Sequence, residues 1–142
     1  MSTLAPILIV EDDPIDLDLT RRAFLRRNLP NPILVARDGE EALDWLPRWA
    51  AGERTPVLIL LDLKLPRVSG LEVLRRLKED DRARAIPVIM LTASSEDRDI
   101  DDAYALGVNS YLVKPVDFEK FHDVATQIDL YWCGLNRLPR AV

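Results

Sequence analysis

Five short apolar runs punctuate the chain, at Ile7–Val10, Ile33–Ala36, Val57–Leu61, Val88–Leu91 and Tyr111–Val113. They are rich in Ile, Leu and Val and lack polar alternation, the pattern of strands covered on both faces. Between them, apolar positions recur at helical spacing. The first helix is predicted from Pro14 to Arg27, with Asp13 as N-cap, Pro14 in the first turn, and Leu17, Thr20, Phe24 and Leu25 facing inward. The second is predicted from Gly39 to Ala51 behind the capping box Asp38-Gly39-Glu40-Glu41. A third opens on another such box at Ser69-Gly70-Leu71-Glu72 and turns Leu71, Leu74 and Leu77 inward. The fourth spans Ser95 to Leu106 and ends at Gly107, a good residue for a left-handed stop. The fifth starts near Asp117 and sets Phe118, Phe121, Val124, Ile128 and Tyr131 on one stripe. Five βα units in a row predict an α/β fold, a three-layer, doubly wound parallel sheet of five strands.

Composition narrows the picture without changing it. The 142 residues suffice for one domain with a real core, and 48% hydrophobic with 30% charged residues is an ordinary globular balance. The formal net charge of −5 argues against a surface built for nucleic acid or anionic lipid. One Cys excludes an intrachain disulfide framework, and one His excludes a multi-His metal site. No apolar run reaches membrane length, and the start lacks a basic n-region and an apolar h-region, so a cytoplasmic location is expected.

The chemistry lies at the ends of the strands. In a doubly wound sheet, ligands bind at the carboxyl edge. The first strand runs into Glu11-Asp12-Asp13, the third into Asp62, the fourth into Thr92-Ala93 and the fifth into Lys114-Pro115. Carboxylates crowded at one edge repel each other, and a hard divalent cation with oxygen ligands relieves this; Mg²⁺ fits, with Mn²⁺ as the alternative. Asp62 at the end of the central run can act as a carboxylate nucleophile toward a phosphoryl group. Lys114 offers its charge to the phosphoryl oxygens and the Thr92 hydroxyl a donor, which is most of what phosphoryl transfer needs. Asp13 reads as a helix-start acid rather than a site residue.

These residues resemble the receiver domain of bacterial two-component response regulators. The resemblance rests on Glu11-Asp12, on Asp62 after its apolar strand, on Leu65-Pro66 with Gly70 behind it, and on Thr92-Ala93, Tyr111 and Lys114-Pro115. It runs from Ile7 to about Ile128 and implies the flavodoxin-like receiver fold with strand order 2-1-3-4-5. It implies that Asp62 accepts a phosphoryl group from a phosphohistidine of a sensor histidine kinase. Asp12, Asp62 and the Lys64 backbone carbonyl would bind the metal directly, and Glu11 through a water. Thr92 and Tyr111 would form the switch pair, Lys114 would contact the phosphoryl oxygens, and Lys114-Pro115 would be a cis peptide. Lys64 stands where the family often has Asn, and Ser94, two residues after Thr92, is small enough to admit water. Both positions bear on phosphate lifetime.

The resemblance also implies surfaces. Ile15, Leu17, Pro115 and Phe118 are the expected kinase contacts. The apolar ending beyond the fifth helix, with Tyr131, Trp132 and Leu135, needs cover, and aromatic residues are typical interface anchors. A homodimer through the fourth helix, fifth strand, fifth helix and tail is expected. The ending resembles that of the small stand-alone regulators that partner bacterial and cyanobacterial phytochromes, which implies a phytochrome-type kinase. One receiver domain over 1–142 is expected, with its core over about 6–130, an apolar tail from about 131, and no effector domain, DNA or membrane contact. Output then passes through protein contacts, or the chain is a relay intermediate or phosphate sink. The acidic run from Glu96 to Asp102 reads as a solvated helix start. Two other classes fit the architecture less well. A flavodoxin-like electron carrier needs a phosphate loop where Glu11-Asp12-Asp13 would repel it. An aspartyl phosphatase needs an acid at the position of Lys64.

Overall fold

The computed structural model describes residues 5–27, 30–114 and 118–128, without the side chains of Phe118 and Phe121. The apolar runs form β1 (Ile7–Val10), β2 (Ile33–Ala36), β3 (Leu58–Leu61), β4 (Val88–Thr92) and β5 (Ser110–Val113). All neighbours are parallel, in the order β2-β1-β3-β4-β5. Side chains of each strand alternate between two cores. Leu8, Val10, Ile59, Leu61, Val88 and Met90 enter one, and Ile7, Ile9, Leu58, Leu60, Ile89 and Leu91 enter the other. Both faces are covered, so the three inner strands are apolar up to Thr92 at the end of β4.

The helices are α1 (Pro14–Arg26), α2 (Gly39–Leu43), α3 (Trp45–Ala50), α4 (Gly70–Glu79), α5 (Asp97–Ala105) and α6 (Phe118–Ile128). Helices α1 and α6 pack together over the second core, through Leu17, Ala23, Phe24, Ala125 and Ile128. The other helices cover the first, through Ala42, Trp49, Val73, Leu74, Leu77 and Ala103.

Local chemistry fixes the ends. Asp13 Oδ1 accepts from the amides of Ile15 (2.8 Å) and Asp16 (3.2 Å), Asp38 Oδ1 from Glu41 (2.8 Å), and Ser69 Oγ from Glu72 (3.2 Å). Each satisfies a helix-start donor, worth about 1 kcal/mol. Gly107 closes α5 at φ +96°, a left-handed conformation that a side chain would disfavour.

Three expectations need correction. The single helix from Gly39 to Ala51 is two, parted at Asp44. Pro47 has no N–H for the Leu43 carbonyl and its ring crowds that oxygen, so it sits in the first turn of a new helix. Leu25 is 68% exposed and Ala23 takes the inward position, because Leu25 lies about 100° around the helix from Phe24. Helix α5 begins at Asp97, not Ser95.

The β3–α4 loop is pinned from both sides. A methyl group at Gly70 would lie 2.1 Å from the Asp62 carbonyl oxygen, and one at Gly39 would lie 2.3 Å from the Val68 carbonyl oxygen. Arg67 adopts φ +67°, a conformation costing an L residue roughly 1–2 kcal/mol. Its guanidinium reaches Glu40 Oε2 at 3.1 Å, across the gap to α2.

The substitution Gly70→Ala is therefore expected to destabilise the protein by about 1–3 kcal/mol in denaturant unfolding, because backbone rather than a flexible side chain must move.

Candidate functional site at the carboxyl edge of the sheet

The register carries four strand ends to one place. Val10 pairs with Leu61, Leu61 with Met90, and Thr92 with Val113. The hydrogen bonds continue one residue further. Asp62 N donates to Val10 O (3.1 Å), Glu11 N to Ala36 O (3.0 Å) and Lys114 N to Thr92 O (2.7 Å). Glu11, Asp62 and Thr92 are thereby fixed by the ladder and buried, at 5%, 7% and 1% exposure.

At the centre stands the Lys114 ammonium. It lies 2.5 Å from Glu11 Oε1, 2.8 Å from Asp16 Oδ2 and 2.9 Å from Asp62 Oδ2. The other Asp62 oxygen, Oδ1, accepts weakly from the Lys64 amide at 3.3 Å. Thr92, at the end of β4, also lowers the proton affinity of the Asp62 carboxyl.

The ammonium and the two buried carboxylates, Glu11 and Asp62, set those two proton affinities apart. Burial alone pushes the Asp62 carboxyl up, but the hydrogen bonds and charge of Lys114 outweigh it and hold the group below the usual range. Glu11 goes the other way, up to about 7, because burial and the Asp62 carboxylate beside it exceed the pull of Lys114. Burial acts on Lys114 in the opposite sense, yet its carboxylate partners raise it above its ordinary value. Asp62 thus stays ionised while Glu11 holds a proton to near neutrality.

Carboxylate oxygens of Glu11, Asp12 and Asp62 lie within 4.8 Å of one another. A hard, all-oxygen donor set of this kind fits Mg²⁺ or Mn²⁺ and does not suit a soft metal. Asp12 is exposed, so this cluster opens to solvent on one side.

Tyr111 is half-buried on β5, and its hydroxyl donates to the Ser94 carbonyl at 2.9 Å. Ser94 Oγ in turn donates to Asp99 Oδ2 at 2.5 Å. Thr92 and Tyr111 thus flank one loop, the former at its start and the latter bonded to Ser94 within it.

Most of the expected residues converge: Glu11, Asp12, Asp62, Thr92 and Lys114 at the edge, the Lys64 amide on Asp62, and Tyr111 behind. Pro115, Tyr131, Trp132 and Leu135 lie outside the described residues, as does the side chain of Phe118. The expected cis bond at Pro115 lies outside them too. Among the kinase-contact residues, Ile15 is 71% exposed, whereas Leu17 is 5% exposed and packs in the second core. Leu17 therefore takes the inward place expected of it on the first helix and is not a surface contact, three residues before Thr20 on the same face of α1. Two residues escaped the sequence reading, Asp16 and Asp99. Asp99 sits in the acidic run that reads as a solvated helix start, and Asp16 lies in the first turn of α1, where an acid is stabilising on its own. The phase of α1 was the available signal for Asp16, which sits four residues before the buried Thr20 on the same face.

The model of the response regulator receiver domain matches residues 7–126. The probable methanogenesis regulatory protein FilR2 of Methanothrix harundinacea is 46% identical over 134 residues, covering 94% of this chain and 86% of that protein. The bacteriophytochrome response regulator RtBRR is 48% identical, with a TM-score of 0.76 over 96% of this chain and 85% of that one. The Mn²⁺-bound form of response regulator Rcp1, a protein of Synechocystis, has a TM-score of 0.86 at 32% identity, over 96% and 99% of the two chains. A buried acid at the end of β3, an acidic cluster fit for a divalent cation and an ordered βα array thus meet in one lineage, and the chain belongs to the response regulator receiver domains, the phosphorylation-dependent elements of two-component signalling.

Proposed function

We propose that Asp62 is the phosphoacceptor of this receiver and Lys114 its principal electrostatic partner. The observation that carries this is the Lys114 ammonium 2.9 Å from Asp62 Oδ2, on a carboxylate kept ionised at the mouth of the sheet. Receiver domains take their phosphoryl group from histidine kinases. A free Asp62 oxygen attacks phosphorus, the P–N bond to the donor imidazole breaks, and its electron pair stays on the ring nitrogen. An aspartyl phosphate is left. A divalent cation held by Glu11, Asp12, Asp62 and the Lys64 carbonyl would neutralise charge on the carboxylates and the incoming phosphoryl oxygens. Lys114 moves its ammonium onto a phosphoryl oxygen, and Thr92 turns its hydroxyl to another. The Thr92 shift opens space behind it for the Tyr111 ring, whose hydroxyl already points to the Ser94 carbonyl. Slow hydrolysis of the aspartyl phosphate resets the switch.

The partner surfaces follow from exposure. Ile15 presents its side chain on the outer face of α1 beside the site, where a kinase can dock. The likeness to RtBRR supports a phytochrome-type kinase as donor. Tyr104 on α5 and Val113 on β5 are 52% and 46% exposed and support a homodimer through the α5–β5–α6 face, with output by protein contact. Among the described residues no helix is long and apolar enough to cross a membrane, which accords with a cytoplasmic role. The receiver is read over residues 7–126, the span that the family model matches.

Incubation with Mg²⁺ and a small acyl-phosphate donor is expected to add one phosphoryl mass to the protein and none to Asp62→Asn. Labelling of that variant at the wild-type rate would overturn the assignment. Phosphotransfer from a bacteriophytochrome kinase should outpace that from an unrelated histidine kinase, and equal rates would remove the phytochrome link. Light scattering should give twice the chain mass, falling to one chain in Tyr104→Glu.

The raised Glu11 carboxyl sets a pH dependence. Folding lifts this group from 4.5 to about 7, so between those values the fold holds a proton that the unfolded chain releases. Metal-free stability therefore falls as pH rises through that window. Mg²⁺ competes with the same proton, so its affinity should rise with pH by up to about tenfold per unit below pH 7 and level off above. Titration calorimetry between pH 5.5 and 8 checks the slope. Glu11→Gln should flatten it.

A further inference from the structure

Lys114 has three carboxylate partners, and they are not equivalent. Glu11 and Asp62 belong to the cluster whose oxygens lie within 4.8 Å and suit a divalent cation; Asp16 does not. A cation that engages Glu11 and Asp62 takes from Lys114 two of its three counter-charges. The ammonium is at the end of four rotatable bonds, and only its backbone is tied, through the Lys114 amide to Thr92 O. A lysine so placed loses its aim unless a partner outside the metal cluster holds it.

Asp16 is built to be that partner. It lies in the first turn of α1, where its amide is held by Asp13 Oδ1 at 3.2 Å and its carbonyl accepts from Thr20 Oγ1 at 2.8 Å. Its Oδ2 stands 2.8 Å from Lys114 Nζ, and the Lys114 side chain is only 8% exposed, so water does not readily replace the contact. We propose that Asp16 is the positioning residue for Lys114, which keeps the ammonium at the Asp62 carboxylate when the cation claims Glu11 and Asp62 and leaves its other N–H groups for the phosphoryl oxygens. The inference rests on Asp62 as phosphoacceptor and assigns to the same site a residue outside its metal cluster.

An acid in the first turn of a helix is also stabilising through the helix dipole alone. The two roles separate in a double-mutant cycle. Asp16→Asn keeps the size and loses the charge. At saturating Mg²⁺ it should slow phosphoryl addition from an acyl-phosphate donor by about tenfold, the loss expected of a misaimed group. In a Lys114→Met background the same substitution should leave the residual rate unchanged. Equal slowing with and without Lys114 would assign Asp16 to helix stability or general charge and overturn the proposal. A second readout needs no phosphorylation. In ¹⁵N-labelled, Mg²⁺-loaded wild-type protein the Lys114 ammonium protons should be protected from solvent exchange, and in Asp16→Asn that protection should be lost. Unchanged protection overturns the proposal even if Lys114→Met fails to fold. Persistent labelling of Asp62→Asn would instead sink the phosphoacceptor assignment, and the exchange measurement would still decide for or against Asp16.

Discussion

Everything at this edge of the sheet depends on a single ammonium among three carboxylates. If Glu11, Asp16 and Asp62 were all ionised, Lys114 would leave two negative charges uncompensated in a place largely closed to water. Desolvation of each ion costs several kcal/mol, so the arrangement gains little as a stabilising device. Its use is electrostatic bias. Glu11 keeps a proton to about pH 7 while Asp62 does not, so two acids a few ångströms apart differ in charge near neutrality. In the proposed function the surplus of acid draws in a cation, and the ionised Asp62 bonds phosphorus. A site with charges exactly balanced would do neither.

The scaffold makes that bias tolerable. Ile, Leu, Val and Met fill both faces of β1, β3 and β4, so hydrophobic burial, at about 25 cal/mol per Å², holds the strands whatever the strain at their ends. Parallel register then delivers Glu11, Asp62 and Lys114 as the first residues beyond the ladder and Thr92 as the last within it. The β3–α4 loop is held just as closely. Gly70 lets the start of α4 touch the Asp62 carbonyl, and the left-handed Arg67 is tied to Glu40. Such close packing ties the Asp62 backbone to α4, so the response to a new charge is directed to the side chains around it.

The strands were legible because both of their faces are buried, which erases the polar alternation that would otherwise mark an edge. Helix caps were legible because Asp13, Asp38 and Ser69 act on amides two or three residues away. Chemistry at the strand ends was legible because topology, not sequence distance, brings it together. What escaped needs three dimensions. Pro47 breaks a helix through an oxygen four residues earlier, yet a Pro in a first turn reads the same way as one in an intact helix. Leu17 reads both as an inward position and as a surface contact, and the packed α1 decides for the core while leaving Ile15 in solvent. Asp16 and Asp99 are hidden by their neighbours. An acid in an acidic helix start carries no sign that it faces a lysine 98 residues away or a serine five residues back.

Asp99 completes a path from the site to the surface. Thr92 ends β4 next to Asp62, and Ser94 stands two residues along, its amide donating to Thr92 Oγ1 at 3.4 Å. Its carbonyl receives the Tyr111 hydroxyl, and its own hydroxyl binds Asp99 on α5. One serine therefore joins β5 to α5 through hydrogen bonds that cannot lengthen independently. In the proposed switch, a movement of Thr92 reaches the Tyr111 ring and the first turn of α5 through Ser94. Tyr104 and Val113 lie on these same two elements, so a charge placed on Asp62 has a short, contiguous route to the exposed apolar face. Coupling of this kind needs two arrangements of the loop with similar energy. The polar links supply the means, since exchanging one hydrogen-bond partner for another costs far less than repacking either hydrophobic core.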